Sequence, residues 1–211
     1  MLSKFLHVTK MQVAALSQIL WLQLLSIVLY PLFFNPINDN NPFANVLVYA
    51  TGLIMLAYLI LRNFVFNDAK YKTNLLFGIL PVSTTTILKA RGSIIYLFGF
   101  IATPILLLSS HILHALKPET YAIIQPSIIP YGLVLFVVFM PIEFLLFYLF
   151  EAQKADIIGA LALFPYMGMM AFLYKFLMKG SLWIVVLILG VFTNIVCYKI
   201  SIQLYKNKED I

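Results

Sequence analysis

Long apolar runs separated by short polar stretches dominate the chain, a pattern typical of helices that cross a membrane. A helix needs about 20 apolar residues to cross roughly 30 Å of hydrocarbon. Six runs meet this length, at residues 14–34, 43–61, 93–115, 128–150, 157–177 and 182–200. The pattern therefore predicts an all-α integral membrane protein, with one domain (residues 1–211), six transmembrane helices and both termini on the same side.

Residues 1–13 place polar and apolar side chains on opposite faces of a helix, which predicts an N-terminal interfacial helix lying on the membrane. A secretory signal peptide is the competing interpretation. The following apolar run favours the interfacial helix, because it continues to residue 34 without a small-residue cleavage pattern.

The basic residues predict how the chain is oriented. Eleven of the fourteen lysines and arginines fall on the side that holds the termini and the loop between spans two and three, and three fall on the other side. Cytoplasmic loops of membrane proteins carry an excess of Lys and Arg. We therefore expect a multi-pass protein of the plasma membrane, with both termini and this loop in the cytoplasm.

Composition narrows the function classes. Hydrophobic residues make up 63% of the chain and charged residues only 10%, which is far from the range of soluble domains. The formal net charge is +6, but the basic residues lie at the ends of apolar runs, so membrane lipids and not nucleic acid are the expected partners. The single cysteine, Cys197, cannot form an internal disulfide.

The longest polar-rich interruption, residues 67–91, lies between spans two and three. Asn67 and Asp68 are good helix N-caps. After them, apolar residues recur at helical spacing, at Tyr71, Leu75, Ile79 and Leu80. Pro81 must break this helix, and Ser83 or a following threonine can cap the next one.

This interruption thus predicts an amphipathic helix, a break and a second helix. Basic residues flank it at the membrane surface, at Lys70, Lys72, Lys89 and Arg91. Such an element is suited to docking a soluble partner, and an ordinary interfacial loop is the alternative.

The run Leu80-Pro81-Val82-Ser83, followed by Ile87 and by Ala90-Arg91, resembles the Leu-Pro-x-Ser motif of ATP-binding-cassette (ABC) type-2 exporter permeases. In that family the motif also follows the second membrane helix. In size and layout the chain is most similar to small permease subunits of bacterial peptide exporters, such as the phenol-soluble modulin exporter. It departs from the family pattern at Thr84 and Thr86, where a basic and an acidic residue are usual, so we expect the capping box to be lost.

The resemblance implies that residues 70–80 form a cytoplasmic coupling helix docked on a separate ABC ATPase subunit. The coupling residues that it implies are Tyr71, Asn74, Leu75, Leu76, Ile79, Leu80, Pro81 and Ser83. The chain has no G-x-x-x-x-G-K-[ST] loop, so ATP and Mg²⁺ are expected on the ATPase and no directly bound cofactor is predicted. A second permease, either a copy or a homologue, is implied as the other membrane subunit, and the resemblance to bacterial exporters implies a bacterial plasma membrane.

Five residues within the spans are candidates for a substrate pathway: Glu143, Phe164, Tyr166, Met167 and Met170. A carboxylate facing lipid is costly, so Glu143 is expected to face protein, water or a partner charge. It either lines or gates a pathway, or is a hydrogen-bonded structural group. The aromatic and methionine residues offer an adaptable apolar surface to an amphipathic substrate, or simply pack between helices.

No catalytic or metal site is predicted. His111 and His114 lie one turn apart near Glu119, but no third ligand follows at fixed spacing, so we interpret them as interfacial polar residues. The chain lacks the H-E-x-x-H and G-x-S-x-G motifs of proteases and hydrolases. The chain is therefore not expected to be an enzyme.

The resulting function is an exporter permease that moves amphipathic peptides or similar hydrophobic substrates out of the cell. Two alternatives remain open at this point. One is the substrate-binding membrane subunit of a vitamin importer, although the four-residue spacing of small residues expected on its first span is missing. The other is a membrane interaction or immunity protein without transport activity.

Overall fold

The computed structural model describes residues 6, 8–14, 25–32, 42–71, 83–150, 152–177 and 183–209. All regular secondary structure in these ranges is helical. The long helices are α1 (Pro42–Tyr71), α2 (Thr84–Leu116), α3 (Ile129–Leu149), α4 (Ala152–Leu177) and α5 (Trp183–Glu209), and a 3₁₀ turn, Pro126–Ile128, precedes α3. Residues 8–14 and 25–32 are also helical.

All five long helices are long and apolar enough to cross a membrane. They correspond to the second to sixth predicted spans, and they confirm an all-helical multi-pass membrane protein. The structure describes residues 6 and 8–13 of the predicted interfacial helix, 1–13, and residues 14 and 25–32 of the first predicted span, 14–34; the rest of both lies outside the described residues. The count of six spans therefore stays a prediction.

The two helices that flank the polar interruption are longer than their apolar runs. Helix α1 continues past Arg62 to Tyr71, so Asn67 and Asp68 lie inside its last turns. The prediction that they cap a new helix is therefore wrong. Helix α2 begins at Thr84, nine residues before the predicted span. Its 33 residues extend about 50 Å at 1.5 Å per residue, more than the hydrocarbon thickness, so part of α2 must project beyond the membrane core.

Helix α3 is the centre of the bundle and packs against α1, α4 and α5. Its sequence is apolar on all sides, as expected of a helix surrounded by protein. Gly132 permits the closest approach: the ring of Tyr49, on α1, occupies the place where a Cβ atom would lie. By contrast, α4 and α5 bury little of their apolar surface and form the outer face.

Candidate functional site

The described structure shows both ends of the predicted coupling segment. Residues 72–82 lie outside the described part, and with them most of the predicted coupling residues: Asn74, Leu75, Leu76, Ile79, Leu80 and Pro81. Helix α1 ends at Tyr71, whose side chain is not described. Ser83 caps α2, because its Oγ accepts a hydrogen bond from the backbone N–H of Thr86 at 3.3 Å. The Thr86 Oγ1 lies 2.8 Å from the same Oγ, so Ser83 retains a capping role without the acidic residue that is usual in the family.

A buried ion pair joins the two helices beside this segment. Arg91, on α2, donates to Asp68, on α1, through two parallel hydrogen bonds of 2.6 and 2.7 Å. Only 1% of the Arg91 side chain and 11% of the Asp68 side chain are exposed. Such a bidentate arrangement is the strongest geometry available to an arginine and a carboxylate. The prediction that Arg91 is a basic residue at the membrane surface is therefore wrong.

Three aromatic side chains also contact Arg91. Arg91 Nη1 also donates to the hydroxyl of Tyr148, on α3, at 3.0 Å. Its guanidinium carbon lies 5.2 Å from the ring centroid of Phe64, on α1, and 5.9 Å from that of Tyr205, on α5. We call these five residues the Arg91 cluster. It links α1, α2, α3 and α5 at one point.

Breaking the Arg91 cluster is costly in free energy. Removing one partner from a buried ion pair typically costs about 3–5 kcal/mol. The cluster therefore fixes the start of α2 against the end of α1, on the two sides of residues 72–82, and Tyr148 and Tyr205 attach it to α3 and α5.

Glu143 lies in the interior, between α3 and its neighbours, and its side chain has no exposed surface. It faces protein and not lipid, as the cost of a lipid-facing carboxylate requires. Its Oε1 lies 2.6 Å from the position that a Cβ atom of Gly159, on α4, would occupy. Among the described residues, neither carboxyl oxygen has a hydrogen-bond partner. The hydroxyl of Tyr166 is also buried; it lies close enough to the carboxyl to interact with it, but not in hydrogen-bond geometry.

A second polar group adjoins Glu143 on the side of Gly159. The Tyr58 ring approaches the same missing Cβ to 3.2 Å, and its hydroxyl donates to Oδ1 of Asp156 at 2.5 Å. Arg62 Nε lies 2.9 Å from that oxygen, and 46% of the Arg62 side chain is exposed. Polar groups thus run from the surface to the buried carboxyl. Sequence reasoning missed Tyr58, Asp156 and Gly159 because it examined each span by itself.

The other pathway candidates on α4 do not share one face. Tyr166 and Met170 are buried, and the Tyr166 ring packs 5.0 Å from that of Phe139, on α3. Phe164 and Met167 point outward, with 72% and 40% of their surface exposed. The structure therefore brings Tyr166 to Glu143, and it places Phe164 and Met167 on the outside of the bundle.

The two histidines bind backbone oxygens. Nδ1 of His111 lies 2.8 Å from the carbonyl oxygen of Leu107, and Nδ1 of His114 lies 2.7 Å from that of Tyr121. In the described ranges no three His, Cys, Asp or Glu side chains come together as metal ligands would.

Comparison with known proteins identifies the family. A family model described as ABC-2 family transporter protein matches residues 12–206, nearly the whole chain. No curated protein and no solved structure matches. The match includes the Arg91 cluster, Glu143 and all five described spans. The chain is a multi-pass membrane protein that belongs to the ABC-2 transporter family.

Proposed function

We propose that this chain is the permease subunit of an ATP-driven exporter, with residues 70–80 docked on a separate ABC ATPase. Family membership supports the coarser part of this proposal, a membrane permease that works with an ABC ATPase. The direction of transport, outward, is proposed from the resemblance to small peptide-exporter permeases. The substrates, amphipathic peptides or similar hydrophobic molecules, are proposed from the same resemblance. The excess of basic residues on the side of this segment supports its cytoplasmic location.

The Arg91 cluster is the observation that carries the proposal. A segment that receives force from an ATPase must be attached rigidly to the spans, since a flexible attachment would absorb the motion. Asp68 and Arg91 lie 23 residues apart in sequence, on the two sides of residues 72–82, and form a bidentate pair. Tyr148 and Tyr205 extend the attachment to two further spans. An ordinary interfacial loop has no need of such an attachment.

The polar groups around Glu143 suit a conformational change of the spans. A buried carboxyl without a hydrogen-bond partner is costly, so an arrangement that gives it a partner or water would be favoured. Gly159 allows α4 to lie against Glu143, and a small shift of α4 changes what the carboxyl faces. We propose that Glu143 and Tyr166 lie beside the substrate pathway and exchange partners when the spans move.

The first test is whether an ATPase binds the chain. The full-length chain carrying an affinity tag is purified from membranes of its own source in mild detergent, and the proteins that remain bound are identified by mass spectrometry. We expect an ABC ATPase in stoichiometric amount. Purification with an ATPase and an additional membrane scaffold would favour the vitamin-importer alternative, and purification with neither would favour the interaction protein.

A further inference from the structure

A groove of about 690 Å³ lies between α2 and α5 on the outside of the bundle, and no part of the proposed function uses it. Its walls come from the first four turns of α2, residues 85–96, and from the middle of α5, residues 194–202. Two lysines line it, Lys89 on α2 and Lys199 on α5, and both side chains are exposed. None of its ten lining residues is acidic.

From the lysines towards the middle of the membrane, the groove is mainly apolar. Lys89 and Tyr96 are seven residues apart, or about 10 Å along the helix. On α5, Ile195 lies about one turn deeper than Lys199, and Ile202 lies on the other side of Lys199, towards the C-terminus. At Gly92, midway along the α2 side, a Cβ atom would meet nothing within 4 Å, so the groove is open there.

The polar atoms of the floor bond to the protein itself. The Tyr96 hydroxyl donates to Oδ1 of Asn194 at 2.5 Å, and the Asn194 amide donates to the carbonyl oxygens of Val137 and Gly190. The Tyr198 hydroxyl donates to the carbonyl oxygen of Thr85 at 3.1 Å. Among the described side chains, neither lysine forms an ion pair. The charged groups that the groove offers to a ligand are therefore its two lysines.

We infer that this groove binds an anionic phospholipid, with the phosphate between Lys89 and Lys199 and an acyl chain along the apolar wall towards Tyr96. Charge complementarity favours this occupant, because basic pockets between transmembrane helices bind anionic headgroups and each lysine near the surface adds to the attraction. The order of the groups also fits a lipid, with the cations at the end of the spans and the apolar wall deeper in the membrane. This site requires only that the chain spans the membrane, and it does not depend on the exporter proposal.

Native mass spectrometry of the full-length chain tests the inference, since one spectrum shows bound lipid and oligomeric state. The probes are phosphatidylglycerol and phosphatidylcholine with identical acyl chains, added to the delipidated protein. We expect the wild-type chain to retain one phosphatidylglycerol more strongly than phosphatidylcholine. The double variant Lys89→Gln/Lys199→Gln should bind phosphatidylglycerol about tenfold or more weakly, since two favourable charges are lost.

The matched control removes two other exposed lysines, as Lys117→Gln/Lys175→Gln, at the C-terminal ends of α2 and α4 and therefore at the opposite end of the bundle. It should keep the wild-type preference. Gly92→Leu fills the groove while leaving both charges in place, and it should weaken the binding of both lipids.

Equal lipid binding by the two double variants would overturn the inference, as would wild-type protein without preference for phosphatidylglycerol. A third contrary result is a Gly92→Leu variant that keeps its lipid but dissociates from dimer to monomer. That result would show that a second copy of the chain covers the groove.

Discussion

Replacing Arg91 with glutamine tests whether the Arg91 cluster holds together the helices on the two sides of residues 72–82. The substitution removes both hydrogen bonds to Asp68 and leaves that carboxylate with 11% of its surface exposed. Loss of one partner of a buried pair costs about 3–5 kcal/mol. In a protein of this size each kcal/mol lowers the melting temperature by about 2–4 °C, so we expect a decrease of about 6–20 °C.

The chain carries its own reporter for this measurement. Cys197 is the single cysteine, and it is buried. A fluorogenic thiol reagent added to the detergent-solubilised protein therefore reacts only when the bundle opens, and its fluorescence on heating gives the melting temperature. No engineered label is needed.

Arg62→Gln is the matched control, because it removes the same group from an ion pair at the surface. Arg62 is 46% exposed, and such pairs contribute about 0–1 kcal/mol. The expected decrease is about 4 °C or less. Equal decreases for Arg91→Gln and Arg62→Gln would refute the reasoning, since the Arg91 cluster would then hold the bundle no better than a surface pair does.

Three further substitutions and labels test other parts of the structure. Glu143→Gln keeps the size of the buried side chain and removes its charge, so export should fall while the amount of protein in the membrane stays normal. Unchanged export in a transport assay would leave only a structural role for Glu143. Gly132→Ala should destabilise the bundle by about 1–3 kcal/mol because the added methyl group meets an aromatic ring, whereas Gly168→Ala, which has open space around it, should not. Equal melting temperatures for the two variants would contradict this packing. A cysteine replacing Lys117, in a chain without the native cysteine, should react with an impermeant reagent outside whole cells and one replacing Lys154 should not, and labelling at position 154 would contradict the orientation.

Apolar length was enough to predict the five described spans, but not where the helices end. Because Arg62 and Asp68 are charged, hydropathy places the end of the predicted span, residue 61, before both of them. In the structure they remain helical because each finds a partner on another helix, Asp156 on α4 and Arg91 on α2. Pairing between helices depends on tertiary packing, which periodicity along one helix does not report.

The candidate pathway on α4 shows the same limit at the level of single residues. Phe164, Tyr166, Met167 and Met170 were predicted to form one surface because they lie close together in the chain. The structure buries positions 166, 170 and 174, which are four residues apart and share one face, and it exposes Phe164 and Met167. Helical spacing could have separated these two sets. The contact of Gly159 with Glu143 could not have been predicted, since it depends on how closely α4 lies against α3.

Binding of the ATPase to two coupling-segment variants tests the central claim most directly. If residues 70–80 dock in a groove of the ATPase, the apolar residues are desolvated there and the lysines lie at the rim. Leu75→Asp buries an unpaired charge, which costs several kcal/mol, whereas Lys72→Ala removes a rim charge of small effect. We expect the Leu75→Asp chain to be present in the membrane and to lose the ATPase on purification, and the Lys72→Ala chain to retain it. Equal recovery of the ATPase with both variants would contradict the claim that this segment is the coupling surface.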